Sequence, residues 1–139
     1  MDAAQALADL TEISAQIQAA VLATADGSVV AETWGDEERA QRFTRAALDL
    51  LAAAEQTRPD GGDGLAQLEG ATPDGSVFVV RDERHVVAAV TPPQPTVGLV
   101  FYDLRTCLRL LEQAEKEMKA AKPAARRKRT AKKEDGGEA

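Results

Sequence analysis

Four large apolar residues near the N-terminus recur at the spacing of one helix face. They are Leu7, Leu10, Ile13 and Ile17, and they predict an amphipathic helix over residues 3–17. Two short apolar runs follow, residues 19–24 and 28–32, on either side of Asp26-Gly27. An Asp-Gly pair between such runs is a strong β-hairpin signal, because glycine adopts positive φ without steric cost.

A second helix is predicted over residues 36–57. Three acidic residues, Asp36, Glu37 and Glu38, fall in its first turn, where they favour the helix dipole. Projected at 100° per residue, its apolar side chains form one broad arc that excludes Leu48. The arc contains Ala40, Phe43, Ala46, Ala47, Leu50, Leu51, Ala53 and Ala54. An arc this wide could cover a sheet and still leave apolar surface for a partner.

The middle of the chain predicts three strands separated by turns. Residues 59–64 form a Pro- and Gly-rich loop, and residues 65–71 are a weak strand candidate. Asp74-Gly75 belongs to a predicted turn at residues 73–75. Residues 76–80 and 85–91 are strong strands, joined by a polar turn at residues 81–84. Pro92, Pro93 and Pro95 then end the last strand, because proline cannot donate to a sheet.

The segment 97–102 has the composition of a strand, but it continues into a helical pattern. Its apolar positions are Val100, Leu104, Cys107, Leu108, Leu111 and Met118. We therefore expect a third helix over residues 98–122, ending before Pro123. The strands around Val79 and Val87 are apolar on both faces, so both faces of the sheet should be covered. The order α-β-β-α-β-β-β-α predicts an α+β fold with helices on both sides of one sheet.

Composition and charge favour one cytoplasmic domain with a separate tail. The chain has 139 residues, no long apolar run, no basic N-terminal start and a single cysteine. Residues 1–122 carry 11 Lys or Arg against 20 Asp or Glu, whereas residues 123–139 carry 6 against 3. We expect residues 1–122 to form the folded domain and residues 123–139 to form a disordered basic tail.

The residue types required for catalysis or cofactor binding are scarce. His85 is the only histidine and Cys107 the only cysteine, too few for a structural zinc site. We expect His85 to be a partly exposed strand-end residue and Cys107 a small buried hydrophobe. No P-loop motif occurs. The sequence therefore predicts a protein without metal, cofactor or catalytic residues of its own.

Arginines are the remaining candidates for contact with a partner. Arg39, Arg42 and Arg45 lie on the polar side of the second helix, and Arg81 and Arg84 lie in the turn before the last strand. An arginine supplied by an activator can enter the active site of a GTPase and stabilise the charge of the transition state, as an arginine finger does. The alternative is that all five are solvated surface residues.

The basic tail has three possible partners besides solvent. Its six cations are Arg126, Arg127, Lys128, Arg129, Lys132 and Lys133. They could contact nucleic-acid phosphates, anionic lipid or an acidic protein, including this chain's own acidic body. No aromatic residues are interleaved with the cations, so base stacking and sequence-specific nucleic-acid binding are not expected.

Three stretches together resemble the roadblock/dynein light chain family. They are AAVLATADGSVVAE at residues 19–32, GSVFVVRDERHVVAAVT at residues 75–91 and GLVFYDLRTCLRLL at residues 98–111. The resemblance covers about residues 5–115. It implies a single five-stranded antiparallel sheet between helices, a roadblock or profilin-like fold. The basic tail is not part of the family pattern, and Trp34 matches no position in it.

The resemblance also implies a dimerisation platform for Ras-like small GTPases. Family dimers join the middle strand edge to edge and pack their second helices together, so residues 65–71 become the pairing strand. The implied interface candidates are Leu65, Gln67 and Leu68 in that strand, with Phe43, Ala47, Leu50 and Leu51 assigned to either the dimer seam or the core. Bacterial relatives often pair with a dedicated small GTPase, and some stimulate its hydrolysis.

The leading hypothesis is therefore a non-catalytic homodimer that regulates a Ras-like small GTPase, with hydrolysis performed by the partner. The alternative is a scaffold whose basic tail recruits an anionic membrane surface, a polyanion or an acidic protein. Binding through the tail should weaken with salt, whereas GTPase binding should depend on the nucleotide state.

Overall fold

The computed structural model describes the backbone of residues 1–57 and 66–138, and the side chains of residues 1–57 and 66–120. The elements in chain order are α1 (Ala3–Ile13), β1 (Ala19–Thr24), β2 (Val29–Glu32), α2 (Glu37–Gln56), β3 (Ala66–Thr72), β4 (Gly75–Arg81), β5 (His85–Thr91) and α3 (Val97–Glu138). The five strands form one antiparallel sheet in the order β2-β1-β5-β4-β3. This confirms the predicted fold class and element order.

The two faces of the sheet are covered by different helices. On one face, α1 and α3 pack over β1, β4 and β5 through a cluster that includes Leu10, Phe78 and Leu104. On the other face, α2 packs alone over the sheet, with Ala47 and Leu51 against Val79 and neighbouring residues. Strands β4 and β5 are therefore apolar on both sides, because each side contacts a helix.

Capping residues determine where the first two helices begin. The Asp2 carboxylate accepts a hydrogen bond from the Gln5 N–H at 2.9 Å, and the Asp36 carboxylate accepts one from the Arg39 N–H at 3.1 Å. An aspartate at this position satisfies one of the N–H groups that lack a partner within the helix. The prediction that α2 begins at Asp36 is thus correct to within one residue.

Helix α1 is shorter than its hydrophobic periodicity predicted. It ends at Ile13, with extended backbone at Ser14, and not at residue 17. Ile17 is nevertheless buried in the core cluster between α1, α3 and the sheet. Ile17 keeps the helical spacing of apolar residues because it packs into the core from the turn after α1. The hydrophobic periodicity alone therefore could not show that the helix had ended.

The two predicted turns containing Asp-Gly pairs are confirmed. Gly27 has φ of +99° and Gly75 has φ of +151°, values that glycine adopts at no steric cost. In the first hairpin, the Asp26 carboxylate accepts hydrogen bonds from the Thr24 hydroxyl and from the Ser28 N–H. These bonds favour the ionised form and lower the pKa of Asp26 below its usual value.

Helix α3 continues past the predicted end at Lys122, with helical backbone to Glu138. Pro123 removes only one backbone donor, and the residues around it are mainly Ala, Lys and Arg, which have high helix propensity. The division into a domain of residues 1–122 and a disordered tail stays a prediction, because the side chains beyond residue 120 lie outside the described residues.

Candidate interaction surface

An exposed apolar stripe runs along one side of α2. Ala40, Thr44, Ala47 and Leu51 are buried against the sheet. Next to this buried face, Ala46, Leu50 and Ala53 are exposed, and Leu50 has 47% of its surface accessible. Their spacing of three and four residues places them on one side of the helix, continuous with the half-buried Phe43. We call Phe43, Ala46, Leu50 and Ala53 the α2 stripe.

The α2 stripe faces the β3 edge of the sheet. Leu48, which the sequence projection had placed outside the apolar arc, packs into the core cluster beneath α2. It lies against the β1–β2 hairpin, where a Cβ on Gly27 would be 3.2 Å from its Cδ1 atom. Leu50 is two residues and therefore about 200° further around the helix. Because Leu48 faces the β2 edge, Leu50 faces the opposite edge.

Strand β3 forms a long and regular edge of the sheet. It pairs with β4 through seven consecutive residues without a bulge, from Ala66↔Arg81 to Thr72↔Gly75. Within residues 1–57 and 66–138, no strand pairs with its other side, so every second residue directs its backbone N–H and C=O outward. Leu68 lies opposite Val79, on the face covered by α2, and is half-buried there.

The other edge strand has a different construction. In β2, the register shifts between Leu22 and Ala23, so that Val30 is an extra residue opposite β1. A bulge of this kind bends an edge strand and disfavours further pairing. Strand β2 is also only four residues long, whereas β3 has seven. Of the two described edges, β3 is therefore the one suited to edge-to-edge pairing.

An aromatic cluster lies at the N-terminal end of the α2 stripe. The Trp34 and Phe43 rings meet edge to face, with their centroids 5.1 Å apart. The Arg39 guanidinium carbon lies 5.7 Å from the centre of the Trp34 ring, which is a cation–π contact. Sequence reasoning assigned no role to Trp34. Its nine-residue separation from Phe43 crosses the loop before α2 and leaves no periodic signal.

The interface candidates from the sequence fall into four groups. Ala47 and Leu51 are each only 2% exposed and contribute to the core. Phe43 and Leu68 are half-buried, and Leu50 is exposed, so these three can reach a partner. The exposed Gln67 turns towards α3, where its side-chain oxygen accepts a hydrogen bond from Arg105 at 2.8 Å. Leu65 and the six tail cations lie outside the residues whose side chains are described.

The candidate arginines occupy two different environments. Arg39, Arg42 and Arg45 are exposed on α2. Arg81 pairs with Glu55 at the end of α2, and Arg84 lies 3.3 Å from the Glu115 carboxylate of α3. The arginines of the turn therefore connect elements of the fold, whereas those of α2 project from its surface.

His85 and Cys107 are both built into the fold. His85 is buried, not partly exposed as the sequence suggested. Its backbone N–H donates to the Asp82 carboxylate at 2.8 Å, and its ring Nε2 atom lies 3.4 Å from the Glu115 carboxylate. These contacts and the adjoining helix α3 cover the start of β5. Cys107 is buried, and loss of solvation, with a smaller effect from Asp9, raises the pKa of its thiol to about 11.

The described part of the chain offers two further negative findings. Its residues contain no group of three His, Cys, Asp or Glu side chains placed to hold a metal ion. None of its helices combines the length and the apolar composition needed to cross a membrane. What the described surface offers is an unpaired strand edge beside an apolar helix stripe.

Comparison with solved structures identifies the architecture. A Roadblock/LC7 domain from Streptomyces avermitilis superposes with a TM-score of 0.71 at 19% sequence identity, covering 82% of this chain and 98% of that one. This chain has the roadblock/LC7 fold. MglB from Myxococcus xanthus gives a TM-score of 0.63 at 14% identity, covering 82% and 95% of the two chains.

The fold is also similar to that of a profilin. The similarity to all of these proteins is visible in the structures and is not detected by sequence comparison. Acanthamoeba castellanii profilin IA superposes with a TM-score of 0.52 at 15% identity, covering 80% of this chain and 98% of the profilin. No family model matches the sequence, and no curated protein matches it. At these identities the similarity is one of fold, so function has to be argued from the surface.

Proposed function

We propose that this roadblock-fold chain forms a homodimer that binds and regulates a Ras-like small GTPase without catalytic residues of its own. The observation that carries the proposal is the regular, unpaired β3 edge beside the α2 stripe. A strand edge and an apolar patch on the same side are complementary to a second copy of themselves.

Two-fold symmetry supports this arrangement. A two-fold axis perpendicular to the sheet, between two β3 strands, makes those strands antiparallel and joins two five-stranded sheets into one of ten strands. The same axis places both α2 helices on one face of the joined sheet, antiparallel to each other. Leu50 of each copy then packs near Ala46 of the other. Pairing buries the exposed side chains that the monomer leaves in water.

Small residues on β3 leave space for this approach. Gly70 lies opposite Val77, on the α2 side of the sheet, and a Cβ placed on it would meet nothing within 4 Å. Ala66, four residue pairs from Gly70 on the same face, is also small. Leu68 between them provides the apolar contact. Because most side chains of β3 on this face are short, the α2 helix of the second copy can approach the strand closely.

The outer face of the paired α2 helices is the proposed GTPase surface. It carries Arg42, Arg45 and Asp49 from each copy, all exposed. The roadblock fold and the sequence resemblance support a small GTPase as the partner. The scarcity of catalytic side chains supports regulation by contact, in which the GTPase's own residues perform hydrolysis.

Affinity capture tests this function directly. The full chain would be immobilised and exposed to lysate of its source cell with GDP or a non-hydrolysable GTP analogue, and bound proteins would be identified by mass. We expect a small GTPase that prefers one nucleotide state. Arg42→Glu should reduce the amount of retained GTPase at least tenfold. Arg109→Glu, which changes an exposed arginine on α3, should not reduce it.

The outcomes separate the parts of the proposal. Failure to retain any GTPase in either nucleotide state would contradict the regulatory function but leave the dimer standing. Equal loss with Arg42→Glu and Arg109→Glu would contradict the assignment of the surface to α2. A dimer that binds no GTPase would leave the scaffold hypothesis as the remaining one.

A further inference from the structure

The outer side of the α1–α3 pair exposes an unusual number of apolar side chains. Of nine large hydrophobic residues that are exposed in the described part of the chain, five lie here, including Ile13 at 73% and Tyr102 at 55%. The five are Met1, Ile13, Leu99, Tyr102 and Leu110. The α1–α3 pair covers the sheet face opposite to α2, so this patch is separate from the α2 stripe.

Three of the five, Met1, Ile13 and Leu110, border a groove between the two antiparallel helices. The Cys107 Sγ atom lies 3.7 Å from the Ala6 carbonyl oxygen. Towards the other end of the pair, the Gln16 side chain accepts a hydrogen bond from the Thr96 N–H at 2.6 Å. Along this pair of helices lies a hollow of about 40 Å³, lined by Met1, Ala6, Asp9, Leu10, Ile13, Asp103, Thr106, Cys107 and Leu110. This is room for one aliphatic side chain.

The rim of this groove is acidic. Asp9 projects from α1 and Asp103 from α3, and both line the hollow. Residues 1–38 contain eight Asp or Glu and no Lys or Arg. The ion pairs among described side chains use Glu55, Glu112 and Glu115, none of which lines the hollow. The groove therefore combines an apolar floor with two carboxylates, Asp9 and Asp103, that form no ion pair with any described side chain.

We propose that the α1–α3 groove binds a basic amphipathic helix of a partner protein. Grooves of this kind bind helices whose apolar side chains recur at positions i, i+3 or i+4, and i+7. One such side chain would enter the hollow between Ile13 and Leu110. Lysine or arginine residues flanking the apolar stripe would pair with Asp9 and Asp103. Charge complementarity favours a basic helix over an acidic or neutral one.

A designed peptide tests the proposal. The probe is a fluorescein-labelled 18-residue peptide with Leu at helical spacing and Lys elsewhere, measured by fluorescence anisotropy with the full chain. Its controls are a peptide with Glu in place of Lys and a scrambled peptide of the same composition. We expect the basic amphipathic peptide to bind at least tenfold more tightly than either control, and more weakly as salt is added.

Variants of exposed residues locate the binding. The double change Asp9→Asn and Asp103→Asn should weaken binding at least tenfold, and so should Leu110→Ser. Val30→Ser is the matched control and should bind like the wild type, because Val30 is an exposed apolar residue of β2 that belongs neither to the groove nor to the α2 stripe. Circular dichroism of each variant establishes that it is folded, and the charge pair and Leu110 are independent tests of the same groove.

Three results would overturn the proposal. One is equal binding of the basic, acidic and scrambled peptides. A second is equal binding by the groove variants and by Val30→Ser. The third uses a full chain with Arg126, Arg127, Lys128 and Arg129 changed to Gln. If this chain binds the peptide several-fold more tightly than the wild type, the groove is occupied by the chain's own basic segment and not by a partner.

Discussion

Cys107 shows how the fold decides the chemistry of one side chain. The thiol lies under α1, with its sulfur 3.7 Å from the Ala6 carbonyl oxygen. Burial raises the pKa of the thiol to about 11, against an ordinary value of 9.0. Because the thiolate and not the thiol is the nucleophile, the side chain is held in its unreactive form at neutral pH.

The native protein should therefore react slowly with a thiol-specific reagent at pH 8, and rapidly once unfolded in guanidinium.

The raised pKa of the Cys107 thiol also implies that the unfolded state loses the thiol proton at a lower pH than the folded state does. Stability should fall as pH rises from about 9 to about 11. The measurement is urea unfolding across this range, compared with Cys107→Ala. Equal slopes in the two proteins would contradict the burial of the thiol.

Among the described glycines, Gly75 is the one where replacement by alanine should lower the stability of the fold most. A Cβ there would lie 2.3 Å from the Thr91 carbonyl oxygen, and φ is +151°. We expect Gly75→Ala to lower the free energy of unfolding by about 1–3 kcal/mol, the usual cost of overpacking. Gly98→Ala is the control, because a Cβ there meets nothing within 4 Å. Similar effects in thermal unfolding would refute this argument.

Single residues were predicted from the sequence where their role depends on local pattern. Leu50 was placed on the apolar arc by its spacing, and Cys107 was assigned to the core by the same reasoning. Trp34 and His85 were not understood, because their contacts join elements distant in the chain. Trp34 meets Phe43 across a loop, and His85 meets Glu115 of α3.

At the scale of elements, the sequence predicted strands better than helix ends. Both turns with an Asp-Gly pair were predicted, because such a turn requires glycine where φ is positive. The end of α1 was missed because Ile17 packs into the core after the helix has stopped. Leu48 was misplaced because a helical projection does not include the β1–β2 hairpin, which covers its side of α2.

Adjacent leucines on α2 should behave differently when truncated. Leu51 is 2% exposed and Leu50 is 47% exposed. Leu51→Ala should destabilise the fold by about 2–5 kcal/mol, the cost of a cavity in a packed core. Leu50→Ala should change the stability of the isolated fold by less than about 0.5 kcal/mol but weaken self-association. Chemical denaturation at low and high protein concentration separates these effects. Equal losses in both variants at low concentration would contradict the assigned geometry.

At the scale of the whole molecule, the two sheet faces have different surfaces. The α2 face offers an apolar stripe and exposed arginines beside an unpaired edge strand. The α1–α3 face offers an apolar groove with an acidic rim. The separation of positive and negative charge along the chain was visible in the sequence. The position of Asp9 and Asp103 on one rim was not, because it depends on how α1 packs against α3.

The role proposed for the α2 surface depends on the dimer, which sedimentation velocity measures without any partner. The full chain should sediment at twice the mass of one chain. Leu50→Arg should sediment as a folded monomer, because the two-fold axis brings the two introduced arginines close together and their charges repel. Leu110→Arg, on the opposite face of the sheet, should remain a dimer. A wild-type monomer, or a dimer that survives Leu50→Arg and dissociates with Leu110→Arg, would contradict the proposed interface.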